Sequence, residues 1–150
     1  MASKWDKRFM DQAKLVSTWS KDPKHKVGAV IVDSFNRQIS IGYNGPPRNV
    51  KDEGLSQNEK TLRSLHAELN TILNSNVNLA GMIMYVYPFC PCAQCAAAII
   101  QKQIAEVVYA EESNLRTWIE SQTEAKLMLK EAGVKVRQLT LYASSFWDDK

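Results

Sequence analysis

The order of strand-like and helix-like segments predicts an α/β protein, a three-layer α/β/α sandwich around a five-stranded mixed sheet. Three observations carry that expectation. Short β-branched runs recur at 27–33, 83–87, 106–109 and 134–137, stretches of helical period separate most of them, and no repeat, low-complexity tract or linker interrupts the series. With 150 residues, 45% of them apolar, the chain is expected to form one domain, 1–150, over a single core.

Ser3 with Asp6 three residues on reads as a capping pair. Trp5, Phe9, Ala13, Val16 and Ser20 fall on one stripe, which predicts a helix over about 4–20. Asp22-Pro23 breaks it. The run Val27 to Asp33 is of the kind buried on both faces, and Gln38 to Ile41 alternates beyond the turn residues Ser34 and Asn36, so the two should pair as a hairpin. Residues 44–58, rich in Gly, Pro and charge, are expected to be the longest loop, and such loops are often functional. Leu65, Leu69, Ile72 and Leu73 mark a second helix, with its start at Ser64 or Leu65. Ile83 to Tyr87 is the third strand, Pro91 to about Gln103 a helix, and Glu106 to Tyr109 the fourth strand. Asn114 can cap a last helix with the stripe Leu115, Trp118, Ile119, Gln122, Ala125, Leu129 and Ala132, closed by Gly133. Val134 to Arg137 is the fifth strand, and the tail after Thr140 has no regular period.

Composition excludes several classes of function. No apolar run is long enough to span a membrane, and nothing at the N-terminus resembles a secretory leader, so a cytoplasmic protein is expected. A net charge of +3 is too small and dispersed for a protein that binds nucleic acid by neutralising many phosphates. The basic excess lies in residues 1–75, with twelve basic and eight acidic side chains. The three cysteines, Cys90, Cys92 and Cys95, have no distant thiol to pair with, which points to a metal site and away from a disulfide framework.

His66-Ala67-Glu68 and Pro91-Cys92-Ala93-Gln94-Cys95 each stand where a helix begins, and in an open α/β sheet such starts gather at one crevice. Cys92 and Cys95, three apart in a first turn, point the same way, and the positive helix end favours their thiolates. Two thiolates and one imidazole suit Zn²⁺, and three protein ligands leave a fourth position for water. Glu68 is the carboxylate to take and return its proton. At 100° per residue Glu68 would diverge from His66 in mid-helix, so both must sit at a helix's first turn. A Cys-x-x-Cys pair alone also fits a structural zinc ribbon completed by Cys90 or His25. The two motifs together reproduce the H-x-E…P-C-x-x-C pattern of zinc nucleobase deaminases.

At these residues the sequence resembles the cytidine deaminase superfamily, and the flanking blocks are similar to those of the deoxycytidylate (dCMP) deaminases. Those blocks are Ser20 to Pro23, Lys26 to Val32, Gly42 to Gly45, His66 to Asn70 and Pro91 to Gln101. The resemblance covers about residues 5–112. It implies a cytidine deaminase-like fold and hydrolysis of dCMP to dUMP and ammonia in thymidylate-precursor metabolism. His66, Cys92 and Cys95 would hold Zn²⁺, Glu68 would shuttle the proton, Asn44 would bind the sugar hydroxyl, and the Ala67 and Cys92 backbones would recognise the base. It further implies a homohexamer activated by dCTP and inhibited by dTTP, with Mg²⁺ accompanying the effector. Lys24, Lys26, Gly42, Asn44, Gly45 and Arg48 are the candidates for phosphate or effector contacts, with His25 and Arg63 nearby. Pro46, Asn49 and Ser113 depart from the family pattern, which often has an aromatic, a Gly and a substrate-contacting Tyr there. Trp5, Phe9, Trp118 and Trp147 are expected in the core or a subunit interface, and Cys90 is expected to be buried without binding metal. The competing readings are a related deaminase of a nucleoside, a free base, a riboflavin-pathway pyrimidine or tRNA adenosine, and a zinc-stabilised nucleotide-binding module without catalysis.

Overall fold

A computed structural model describes residues 2–140. In chain order its elements are α1 (Lys4–Ser17), β1 (Gly28–Val32), β2 (Gln38–Tyr43), α2 (Gln57–Arg63), α3 (Ala67–Leu73), β3 (Ile83–Phe89), α4 (Ala93–Gln101), β4 (Glu106–Glu111), α5 (Arg116–Glu131) and β5 (Lys135–Gln138). The strands form one mixed sheet in the order β2-β1-β3-β4-β5. The expected hairpin is present, with Val30 opposite Ile41, and β1 is also antiparallel to β3. From β3 onward the pairing is parallel, Met84 beside Val107 and Val107 beside Val136. The helical crossovers α4 and α5 make that geometry possible.

Every residue of β1 is buried because the sheet is covered on both faces. Ala29 and Ile31 join Met84, Val86, Ile99, Val107 and Leu129 beneath α3, α4 and α5. Val30 and Val32 join Phe9, Met10, Ala13 and Tyr85 beneath α1. The Ser3/Asp6 capping box starts α1 as expected, although the helix stops at Ser17. Asp6 is also buried, and its carboxylate accepts from Tyr85 Oη at 2.6 Å and from both terminal nitrogens of Arg137 at 3.0 and 3.1 Å. The N-terminal helix is thereby tied to the last strand.

The structure moves several boundaries. α3 begins at Ala67, with His66 as an N-cap in extended backbone (φ −68°, ψ 153°), so Ser64 is not its cap but the C-cap of α2. α4 begins at Ala93 with Cys92 as its N-cap, so Pro91 lies before the helix and not in its first turn. Leu115, not Asn114, precedes α5. The stretch read as one loop, 44–58, ends in α2, whose Ser56/Glu59 capping box was visible in the sequence. Asn49, where the family often has Gly, holds φ 66°, a left-handed conformation that Asn tolerates. Among the described residues no helix is long and apolar enough to cross a membrane. Phe146 and Trp147 lie outside the described residues.

Candidate active site

The two helix starts converge because α3 and α4 pack on the same face of the sheet, on chain segments that follow β2 and β3, the two strands flanking β1. His66 Nδ1 lies 3.4 Å from Cys92 Sγ and 3.4 Å from Cys95 Sγ. The three ligand atoms all fall within 4.8 Å of one another, and no fourth His, Cys, Asp or Glu among the described residues joins them. Bonds of 2.0–2.1 Å to nitrogen and 2.3 Å to sulfur at tetrahedral angles require an N···S edge of about 3.6 Å. The residues therefore fit Zn²⁺ in spacing and donor type. Cys90 and His25 do not complete a four-ligand ribbon: Cys90 is buried outside the group, and His25 stacks against Trp118 with ring centroids 4.9 Å apart.

Electrostatics within the trio favour a cation. The thiol of Cys95 donates to Cys92 and, with the imidazole of His66, overcomes burial to push Cys92 down to about 4. Cys95 is the partner that keeps the proton, so its own value is pushed up, first by that bond and then by burial. His66 is raised, chiefly by the Cys92 sulfur, with burial opposing. A divalent ion replaces the shared proton and lets both sulfurs ionise. Cys90 is driven up to about 12, mainly by burial, and stays a neutral thiol.

Glu68 follows the N-cap His66 by two residues, in the first turn of α3, where both can face one place. The residue is 5% exposed. Burial, reinforced by the Cys92 sulfur, raises its carboxyl from an ordinary 4.5 to about 7. A carboxyl poised near neutrality at the floor of a cleft is suited to take up and release a proton in one catalytic cycle.

That cleft has a volume of about 610 Å³ and is walled by the 21–25 loop, Asn44 to Pro46, α2, the starts of α3 and α4, and α5. Of the candidate residues, His66, Ala67, Glu68, Cys92, Lys24, His25, Asn44 and Gly45 line it. Asn44 is held rigidly, Oδ1 accepting from the Val27 N–H at 2.9 Å and Nδ2 donating to the His25 carbonyl at 2.7 Å. Lys26, Gly42, Arg48 and Arg63 do not line it. Lys26 Nζ donates to the Ser20 carbonyl, Arg48 to Asn74 Oδ1, and Arg63 to the Lys51 carbonyl. Gly42 is needed for packing: a Cβ there would come within 2.5 Å of Thr71 Oγ1 on α3. Sequence reading missed Lys21 and Lys60 on the rim, the latter because α2 buries none of its residues and so has no apolar stripe to mark it. Lys21 pairs with Asp52 at 3.6 Å, and Asp22 accepts from the Lys24 and His25 N–H groups. Lys24 and Lys60 have no acidic partner among the described residues. Trp118, expected in the core or an interface, is half-buried and walls the cleft.

Residues 3–111 match the family model described as the cytidine and deoxycytidylate deaminase zinc-binding region. The chain is 43% identical over 145 residues to an uncharacterised deaminase in the luxG 3′ region of Aliivibrio fischeri, covering 94% of this chain and 97% of that one. It is 39% identical over 145 residues to the deoxycytidylate deaminase of Mus musculus, covering 91% of this chain and 80% of that one. Among solved structures, the dCMP deaminase of cyanophage S-TIM5 in complex with dCMP and dUMP superposes with a TM-score of 0.79 at 25% identity, over 93% of this chain and 99% of that one. The imidazole–dithiolate trio with a buried glutamate beside it, the mixed sheet that brings two helix starts together, and these similarities have one reading: the chain belongs to the zinc-binding cytidine and deoxycytidylate deaminase family.

Proposed function

We propose that the chain hydrolyses dCMP to dUMP and ammonia. One observation carries the choice of a nucleotide over a nucleoside or free base: the cleft that ends at the trio and Glu68 has two lysines on its rim, Lys24 and Lys60, without acidic partners among the described residues. Such lysines suit a monophosphate held at the mouth while the base reaches the floor. The deoxycytidylate deaminases among the relatives support the same substrate.

Zn²⁺, when held by His66, Cys92 and Cys95, supplies the Lewis acidity that makes water a nucleophile at neutral pH. The chain's own groups do the rest. Glu68 Oε takes a proton from the attacking water and delivers it to the ring nitrogen as the C4–O bond forms, then carries the remaining hydroxyl proton to the amine as the C4–N bond breaks and the C4 carbonyl forms, so that one water proton stays on the ring nitrogen and the other leaves in ammonia. Asn44, with one amide hydrogen and one lone pair of Oδ1 still free, binds the sugar hydroxyl. Backbone groups of Ala67 and Cys92 recognise the base. A homohexamer activated by dCTP, inhibited by dTTP and accompanied by Mg²⁺ is part of the same proposal and rests on the family resemblance.

The test is a steady-state assay on dCMP, deoxycytidine, cytosine, dCTP and an anticodon stem-loop with zinc quantified, repeated with dCTP and dTTP as effectors. The expected result is a kcat/KM for dCMP at least tenfold above the others, lost on chelation and restored by Zn²⁺. A preference for the nucleoside overturns the monophosphate assignment.

A further inference from the structure

The family match ends at residue 111, yet α5 beyond it supplies a wall of the cleft through Thr117, Trp118, Ser121 and Gln122. Residues 118, 121 and 122, three and four apart, share one helix face. Two contacts key that face to the segment that carries Cys92, one at the start of α4 and one at the end of β3. Ser121 Oγ accepts the Ala93 N–H at 2.9 Å, one residue past Cys92. Trp118 meets Phe89 edge-on, with centroids 5.8 Å apart.

Gln122 is 5% exposed, and its amide is only half used. Oε1 accepts the Ser113 N–H at 3.4 Å, which fixes the orientation of the amide because an N–H needs an acceptor. Nε2 is buried and has no acceptor among the described residues. A buried donor without a partner is costly, and folded proteins keep few of them. This one borders a ligand cleft beside an indole.

We infer that the α5 wall selects the substrate, Gln122 Nε2 donating to an oxygen of the bound pyrimidine nucleotide while Trp118 packs beside it. The inference rests on the nucleotide reading above and adds the residues that discriminate. A site with a buried donor rejects an analogue lacking the matching acceptor far more strongly than an apolar wall would.

The test compares Gln122→Leu, Gln122→Met, Trp118→Ala and Trp118→Phe with the parent. Gln122→Met removes the donor without adding a charge and keeps the length of the side chain, so it decides if the leucine variant fails to fold. The readouts are kcat and KM on dCMP, dUMP affinity by calorimetry, bound zinc and melting temperature. Both Gln122 variants are expected to keep zinc and a melting temperature near the parent's, to weaken dUMP binding and to lower kcat/KM on the order of tenfold to a hundredfold, mostly through KM. Trp118→Phe should recover most of what Trp118→Ala loses. Unchanged dUMP affinity and turnover in both Gln122 variants overturn the wall and leave the dCMP reading standing. Weakened dUMP binding in the Gln122 variants, alongside a parent that does not turn over dCMP, overturns the dCMP reading and sustains the wall. Loss of zinc or of folding in both Gln122 variants shows a packing role and also overturns the inference.

Discussion

Glu68→Gln should move activity and stability in opposite directions. The carboxyl of the parent Glu68, a residue 5% exposed, is raised from 4.5 to about 7 by burial and by the neighbouring Cys92 sulfur. A rise of that size corresponds to about 3 kcal/mol of preference for the protonated form. Because the folded value is above the unfolded one, that stability is fully present below about pH 4.5 and is lost as pH rises through about 7. Glutamine keeps the shape and cannot ionise. In chelator-treated protein the variant should therefore match the parent near pH 4.5–5 and exceed it by up to about 3 kcal/mol at pH 8. Loaded with zinc, the increment should shrink, because a divalent charge nearby favours the carboxylate. Catalysis should fall about 10²–10⁴-fold in kcat, or roughly 3–5 kcal/mol of barrier, with zinc content unchanged. Urea unfolding at the two pH values and kcat on dCMP read both effects. A variant that stays active, or one whose stability relative to the parent is the same at pH 5 and pH 8, refutes the assignment of Glu68 as a buried proton carrier.

Two further outcomes follow from the packing. Burial alone would raise the Asp6 carboxyl, but hydrogen bonds from Arg137, Tyr85 and the Ser3 N–H outweigh it and hold it well below the usual carboxylate range. Its stabilising effect is present above pH 4 and fades as pH falls below that. Arg137→Met should cost about 2–3 kcal/mol at pH 7, below the usual range for a buried pair because the Arg137 side chain is 29% exposed. By pH 3 the deficit should narrow by about 1 kcal/mol; an equal deficit at both pH values in chemical denaturation contradicts the coupling. Gly42→Ala would place a Cβ 2.5 Å from Thr71 Oγ1 and 2.6 Å from the Thr71 backbone nitrogen, so α3 must move. The expected cost is about 1–3 kcal/mol, with zinc affinity reduced because His66 leads into that helix; a variant with parental melting temperature and zinc binding shows that the contact relaxes freely.

What could be read from the residues was what local physics dictates. β1 was legible because five consecutive apolar or small residues have no alternative to a strand covered on both faces, and α1 because Ser3 and Asp6 satisfy each other's backbone. The metal trio was legible because two cysteines three apart need no tertiary information to face one way. α2 was not, since none of its residues is buried and Leu62 is 78% exposed, so no apolar stripe marks it. The start of α3 was misplaced for a related reason. Ser64 has the side chain of a cap, yet His66, in extended backbone, stands at the cap position while its imidazole meets the sulfurs. The rim was hardest to read. Lys26 and Arg48 carry the same positive charge as Lys24 and Lys60, and only the path of the chain decides which of them border the cleft.

That contrast separates two kinds of determinant within one site. The proton carrier and the metal trio come from two helix starts inside residues 3–111, the stretch that the family model matches, where the chemistry constrains the residue types. The opposite wall comes from α5, outside that stretch, and its position relative to the trio depends on the Ser121 bond to the start of α4 and the ring contact with Phe89. Trp118 and Gln122 can change with little effect on the metal trio or Glu68, since neither is hydrogen-bonded to them, whereas Ser121 holds the start of α4. Exchange of the Trp118 or Gln122 side chain can therefore alter substrate choice in this chain while the groups that perform the reaction stay the same. The orphaned amide of Gln122 is the feature of this chain that gives that freedom a direction, toward ligands that present an acceptor to it.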